Sequence, residues 1–253
     1  MAHVVLPAVD EEQSGSVSAD NYVAAAVSIK IEKSGDKTLD VKLSPAGKVY
    51  FLSKRTGKIN VMASNLDDTD QAVVVEGTGR ELDYETTLIA SPDWQKLALI
   101  ACRDGDRAKV YVYSGDLKLV DDTDAQFTPI GWSNAKFYYK LYKNNANIWQ
   151  GGVQQIISYD INTGSRTVVD QNVAAGSGYY DYSAQNLTSA YIQNDKVVYA
   201  KCLQYSDYYS DKSKAANIIS IDTNGNSKRT VKELNTDGGA YCDAKMAKPS
   251  TLE

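Results

Sequence analysis

The sequence predicts an all-β fold assembled from repeated four-stranded antiparallel sheets. Three observations predict it. Short runs rich in β-branched and aromatic residues recur along the chain, among them KINVMA, AVVVE, KVYVY, QIISYD and NIISID. Segments rich in Asn, Asp, Gly and Ser, residues that tolerate left-handed backbone or bond their own main chain, separate these runs. The arrangement also repeats: an apolar strand, a Ser-Pro or Ser-Asn turn and a second apolar strand appear at Val41–Ser53, Leu88–Ala101 and Pro129–Tyr142, with a looser copy at Ser189–Leu203.

Taken in chain order, residues 1–20 are polar, Ser-rich and aperiodic, and read as a disordered linker or tether. Residues 21–253 form the folded part. Within Tyr22–Lys33, Val27, Ile29 and Ile31 alternate with Ser28, Lys30 and Glu32, which predicts an extra half-buried strand ahead of the repeats. Each repeat copy is followed by a second hairpin, turning at Ser64–Asp70, Tyr113–Leu117, Tyr159–Ser165 and Ile221–Ser227. Four strands in roughly 45 residues is the spacing of a propeller blade. The blades are expected at 39–80, 85–125, 127–173 and 186–236, and residues 237–253 read as the start of a further blade or a tail. Four blades and one strand are compatible with a small closed ring or with a partial propeller. A partial propeller leaves an open apolar face, to be covered by a second copy (a homodimer) or by a missing segment. Leu252-Glu253 resembles the junction before an affinity tag and Met1-Ala2 a cloning start, so the natural protein is expected to be longer.

Ser91-Pro92-Asp93-Trp94-Gln95-Lys96-Leu97-Ala98 resembles the SPDGKKLA turn of TolB-like and WD-type β-propeller repeats. Leu43-Ser44-Pro45-Ala46-Gly47-Lys48-Val49 is similar, and Tyr159-Asp160-Ile161-Asn162-Thr163-Gly164 resembles the outer hairpin of the same repeats. The resemblance spans about Leu39 to Leu234. It departs where Trp94 replaces the usual Gly, where the third and fourth copies lack Pro-Asp, and in having no Trp-Asp dipeptide. It implies a β-propeller and permits a place ahead of a serine peptidase domain, but it selects no activity, because propellers host many.

Composition excludes several classes. The chain has 253 residues with 27 Lys+Arg against 32 Asp+Glu, a net charge of −5 and no basic block, which argues against nucleic-acid binding. Its apolar runs are too short to span a bilayer as a helix. The one histidine, His3, lies in the tail, which leaves no Ser-His-Asp triad, Cys-His pair or His-ligated zinc unless His3 folds back. Of three cysteines, Cys102 reads as a buried thiol, while Cys202 and Cys242 could form a bridge. Asp67, Asp68 and Asp70 gather three hard oxygens that could hold Ca²⁺, with solvated turn acids as the plainer reading; no other cofactor is expected. Asp121, Asp122 and Asp124 invite the same two readings, and Arg103–Arg107 (RDGDR) reads as a surface loop pairing its own charges. The Asn186-Leu187-Thr188 sequon is a match of near-chance weight.

Tyrosine is the compositional anomaly: 18, against 3 Trp and 3 Phe. Tyr138, Tyr139 and Tyr142 are expected to pack between blades. Tyr179 and Tyr180 lie in a connection, Tyr205, Tyr208 and Tyr209 in a polar insertion, and Trp149 in another long connection. These six are the candidate ligand-binding residues, because Tyr and Trp offer contact area at low entropic cost with a polar tip. The leading functional reading is a non-enzymatic scaffold that recognises a protein or glycan at the cell surface or in the envelope. The alternatives are the propeller portion of a peptidase or glycosidase whose catalytic residues lie elsewhere, and a structural subunit of an envelope assembly.

Overall fold

The computed structural model describes residues 12–20, 22–30, 39–144, 152–172, 185–203 and 214–236. All its regular elements among these residues are strands. They divide into two compact units, one of residues 1–53 and 60–76, the other of 54–59 and 77–253.

In the first unit, β1 (Glu12–Val17) pairs antiparallel with β2 (Ala25–Lys30) as a two-stranded ribbon. The predicted alternation holds in β2, where Ala25, Val27 and Ile29 are half-buried and Ala26, Ser28 and Lys30 exposed. Residues 12–17, expected to belong to a linker, are instead a strand. Their polar side chains hide the signal, because the order comes from main-chain pairing with β2, reinforced by Ser28 Oγ donating to Glu12 Oε1 at 2.6 Å. The same unit holds β3 (Lys48–Ser53), β4 (Asn60–Asn65) and β5 (Ala72–Val75), a three-stranded sheet where four strands were expected. Val41–Leu43 does not join β3. Pro45 offers no N–H and restricts Ser44 before it; the main chain there meets Tyr22 in a single bridge, and Val23 N donates to Ser44 O at 2.8 Å.

The second unit carries three complete four-stranded blades. The first comprises β6 (Thr87–Ala90), β7 (Leu97–Ala101), β8 (Lys109–Tyr113) and β9 (Leu117–Asp121). The second comprises β10 (Gln126–Ser133), β11 (Lys136–Lys143), β12 (Val153–Asp160) and β13 (Arg166–Gln171). The third comprises β14 (Gln185–Gln193), β15 (Lys196–Leu203), β16 (Lys214–Asp222) and β17 (Arg229–Thr236). Strand order follows sequence order in each blade, and every neighbouring pair is antiparallel. With its repeated four-stranded blades, the fold is a β-propeller.

The middle blade is buried on both faces, which explains why β11 reads KFYYKLYK rather than as a simple alternation. Phe137, Tyr139 and Leu141 point into a core shared with Ala98, Ile100, Val110 and Val112 of the preceding blade. Tyr138 points the other way, into a core with Leu187, Val197, Tyr199, Ile219 and Ile221 of the following blade. Tyr138 and Tyr139 are fully buried, as expected. Phe137 and Tyr139 stack at 5.7 Å, and Trp132 lies 5.2 Å from Phe137 with its Nε1 donating to Ile89 O of the preceding blade at 3.3 Å. Pro129 is accommodated because β10 is an edge strand, and a bulge falls between Pro129 and Gly131.

A polar lock recurs at both junctions in this unit. Asp121, at the end of β9, accepts from Tyr139 Oη at 2.7 Å and pairs with Arg166 Nη2 at 2.8 Å; Arg166 Nε also donates to Tyr139 Oη at 3.0 Å. At the next junction Asp170 accepts from Tyr199 Oη and pairs with Lys228 at 2.8 Å. Register shows why the two match. Each outer hairpin carries a bulge, skipping Val120 before Asp121 and Val169 before Asp170, and this turns the acid towards the next blade. The same bulge recurs at Val74 before Val75 and at Val231 before Lys232. Asp121 is therefore not the solvated turn acid the sequence suggested; its side chain is 1% exposed.

Candidate functional site

Two cavities open along one end of the three-blade unit. The first, about 670 Å³, lies between the first and second of these blades. Ile100, Ala108, Ala125 and Phe127 form its apolar floor. Glu85, Asp106, Asp124, Arg107 and Lys143 line its rim, with Tyr84, which is 82% exposed. The second, about 320 Å³, lies between the second and third blades and is lined by Gln126, Thr128, Lys140, Tyr142, Gln154, Asn186 and Thr188. Gln126 and Tyr142, cross-strand partners on β10 and β11, line both.

The second cavity forms because the inter-blade core changes character along its length. Tyr138 and Ile156 face the third blade through apolar contact. Two residues further on, β11 presents Lys140 and then Tyr142, while β12 presents Gln154. Gln154 stitches this end together: its main-chain N–H donates to Asn172 Oδ1 at 2.8 Å, its Nε2 to Asn186 Oδ1, and its Oε1 accepts from Leu187 N at 2.8 Å. Asn186 is thereby folded into the blade junction, so the sequon is not a free surface loop. Lys140 Nζ donates to Leu187 O at 3.1 Å, and burial pulls its pKa below the usual lysine value.

The charges of the Arg103–Arg107 loop, which borders the larger cavity at Asp106 and Arg107, are not paired as the sequence suggested. Arg103 leaves its own loop to meet Glu81 at 3.0 Å, with side chains 13% and 1% exposed. Burial raises the Glu81 pKa, but N–H donors from Thr78 and Gly79 and the Arg103 charge outweigh it, and the net shift is downward. Asp104 pairs with Lys109 at 3.1 Å and accepts from Tyr111 Oη at 3.0 Å, while Arg107 pairs with Asp124. Cys102 Sγ donates to Glu85 Oε2 at 2.9 Å; burial first, then that hydrogen bond, push the thiol up to about 12, so it is not a reactive thiolate at neutral pH.

Asp67, Asp68 and Asp70 lie in the β4–β5 turn of the first unit, and each carboxylate is engaged by that unit's own donors. Asp67 accepts from Ser44 Oγ, Thr69 N and Thr69 Oγ1, Asp68 from Gln71 Nε2 at 2.6 Å, and Asp70 from Asn65 Nδ2 at 2.8 Å. The Ser44 hydrogen bond leads in holding Asp67 at about 2. Tyr179, Tyr180, Tyr205, Tyr208, Tyr209 and Trp149 fall outside the described residues, as does Cys242. What the structure does place is the points from which their segments depart. Lys143 faces Val153, Gln155 faces Gln171, Gln185 faces Leu203 and Lys214 faces Thr236, all at the blade end where the two cavities open.

Among solved structures, the chain is similar to TolB. A TolB-type protein from Agrobacterium tumefaciens is 15% identical over 74% of this chain and 62% of its own, with a TM-score of 0.43. A prolyl endopeptidase is 14% identical over 76% of this chain and 26% of its own, TM-score 0.48. The β-propeller domain of the Trilobed protease from Pyrococcus furiosus is 11% identical over 87% of this chain and 80% of its own, TM-score 0.39. The chain thus spans less than two thirds of the length of the TolB-type and endopeptidase structures. No protein-family model matches the sequence, and no curated protein matches it.

The sequence marks none of the cavity-lining residues Tyr84, Gln126 and Lys140 as candidates, and Thr188 only as the last residue of the sequon. Lys140 carried one legible signal: it is the lone charge inside the strand Phe137–Tyr142, otherwise aromatic and aliphatic. Nothing comparable marks Gln126, and the sequon does not point to a cavity role for Thr188; both acquire meaning only when β10 and β14 are brought together.

Proposed function

We propose that the protein is a non-catalytic recognition propeller that engages a protein or glycan partner, at the cell surface or in the envelope, through the cavity-bearing end of its three-blade unit. One observation carries this reading. Exposed Tyr84, with Phe127 and Tyr142, stands beside both signs of charge and several amide and hydroxyl groups in two adjoining cavities. Aromatic surface with convergent polar groups is the usual make-up of a binding cleft. The segments holding Trp149, Tyr179, Tyr180, Tyr205, Tyr208 and Tyr209 leave the blades at the same end. The described carboxylates with displaced acidity, such as Asp104 and Asp170, are shifted downward, the direction of ion pairs and hydrogen-bonded turns rather than of a general acid.

The test is binding of the purified protein to a panel of neutral and acidic polysaccharides and to envelope polymers, followed by intrinsic fluorescence, beside Tyr84→Ala. Saturable binding that weakens in Tyr84→Ala, with the melting temperature unchanged, is expected. Turnover of a panel member, or binding indifferent to this end of the unit, overturns the reading.

A further inference from the structure

The geometry points to a binding site for a sugar acid, a hydroxylated monocarboxylate, in the cavity between β11 and β14, with Lys140 as the counter-ion of the carboxylate. This rests on the reading of that end as the binding face and names the ligand chemistry it takes.

Among the described residues, Lys140 is the only charged one lining this cavity of about 320 Å³. Its Nζ spends one hydrogen bond on Leu187 O at 3.1 Å and keeps two N–H donors. Among the described residues no carboxylate lies within ion-pair distance of it. Burial is the sole cause of its lowered pKa. A lysine held this way, half-buried and without an acid, costs stability in the empty protein, and an incoming anion removes that cost. The other ion pairs of this unit show the contrast, since Arg166, Lys201 and Lys228 all have an aspartate.

A second observation is independent of charge. Thr188 Oγ1 is buried at the cavity wall with no hydrogen-bond partner, although buried hydroxyls normally find one. Opposite it, Thr128 and Gln126 stand beside Lys140 and Tyr142 as cross-strand neighbours, on the sheet face that lines the cavity. One ammonium matches one negative charge. A dianion such as phosphate calls for more positive charge than the lining supplies. The surrounding hydroxyls and amides suit the hydroxyl groups that a sugar acid carries and a simple acyl chain lacks, and Tyr142 adds aromatic surface to the wall. The volume is at the lower end of small-molecule sites, roughly 300–1,000 Å³, and so suits one ring.

The test is calorimetric titration with D-glucuronate, D-glucose, N-acetyl-alanine and a glucuronate-terminated oligosaccharide, on wild type, Lys140→Met, Lys140→Gln and Thr188→Val. Glucuronate is expected to bind with a Kd on the order of millimolar, and glucose at least about tenfold more weakly, the worth of one charge-assisted hydrogen bond. Both Lys140 variants should lose the preference for glucuronate over glucose while melting no lower than wild type. Thr188→Val should weaken glucuronate several-fold. Tighter binding of the oligosaccharide than of the free acid would identify a glycan end as the source; equal binding would identify the free sugar acid. Glucuronate binding that survives loss of Lys140, no saturation, or a preference for N-acetyl-alanine overturns the assignment. If neutral glycans bind this end without advantage to glucuronate, the sugar-acid assignment falls and the recognition reading stands. If none of these ligands binds there, the sugar-acid assignment falls, and the recognition reading is decided separately by the Tyr84→Ala comparison.

Discussion

Trp94 occupies a position with φ of 55°, in the left-handed region that bulky residues avoid. It stands where the related repeats carry Gly, and the turn around it holds regardless. Trp94 N donates to Ser91 O at 2.9 Å, while Asp93 accepts from Ser91 Oγ and from Gln95 N at 3.1 Å. The Ser91 hydroxyl foremost, then Lys96 and the Gln95 N–H, keep the Asp93 carboxyl at about 2. The left-handed conformation costs an ordinary residue about 1–2 kcal/mol. Trp94→Gly is therefore expected to leave the melting temperature unchanged or raise it, and Trp94→Val, which adds β-branching at the same φ, to lower it; thermal melts of the two variants decide this. Gly152 is a different case, because its constraint is space. A Cβ there would sit 2.4 Å from Tyr142 Cε2 and 2.5 Å from Lys143 O. Gly152→Ala should cost about 1–3 kcal/mol through overpacking. It should also weaken ligand binding, since Tyr142 lines both cavities. An alanine variant with wild-type stability would mean that Tyr142 can move aside.

The Asp-Tyr-cation lock is the feature that belongs to elements rather than to residues. Tyr139 on β11 reaches an acid on β9 and a guanidinium on β13, so one hydroxyl joins two blades. Burial first, then the hydrogen bond to Asp121, push the Tyr139 pKa strongly upward. Removing Asp121 leaves the Tyr139 hydroxyl and Arg166 short of an anion and should cost about 3–5 kcal/mol. Tyr139→Phe keeps the Asp121–Arg166 pair and should cost only about 1–2 kcal/mol. Denaturant unfolding of Asp121→Ala, Tyr139→Phe and the double variant measures the coupling; equal costs for the two single changes would refute the lock. The sequence displayed the strands and their turns clearly, because Ser-Pro, Asn-Gly and β-branched runs act locally. It did not display the lock. Asp121 sits in an acid-rich stretch, DDTD, that looks like a solvated turn, and only the bulge at Val120 turns it inward. The β1 strand stayed hidden for the converse reason, since its order comes from a partner and not from its own side chains. The candidate site was the least legible. The cavities are built from Gln126, Lys140 and Thr188, ordinary residues until β10, β11 and β14 converge.

At the scale of the whole molecule, these local bonds should appear together as a pH window of stability with two unlike edges. On the acid side, Asp67 and Asp93 have pKa values of about 2 in the folded protein against an ordinary 3.8. A depressed carboxyl contributes stability that is present above its unfolded pKa and is lost as the pH falls from about 4 towards 2. On the alkaline side the sign reverses. Burial, with desolvation leading, lifts Tyr138 from 10.0 to about 12, and the same cause raises Tyr111, Tyr139 and Tyr199 further. A raised phenol contributes stability that is complete below pH 10 and is lost as the pH climbs through its folded value. With 18 tyrosines in the chain, ultraviolet titration of phenolate formation reads this edge directly. Two phases are expected. Phenols open to solvent should ionise first and reversibly, with no change in circular dichroism. The buried phenols at the blade junctions should ionise later, in step with loss of the β signal, because Tyr138, Tyr139 and Tyr199 cannot take up charge while the two inter-blade cores hold. A single phase near pH 10 with the fold intact would place these rings in contact with water and undo the blade packing on which both cavities depend.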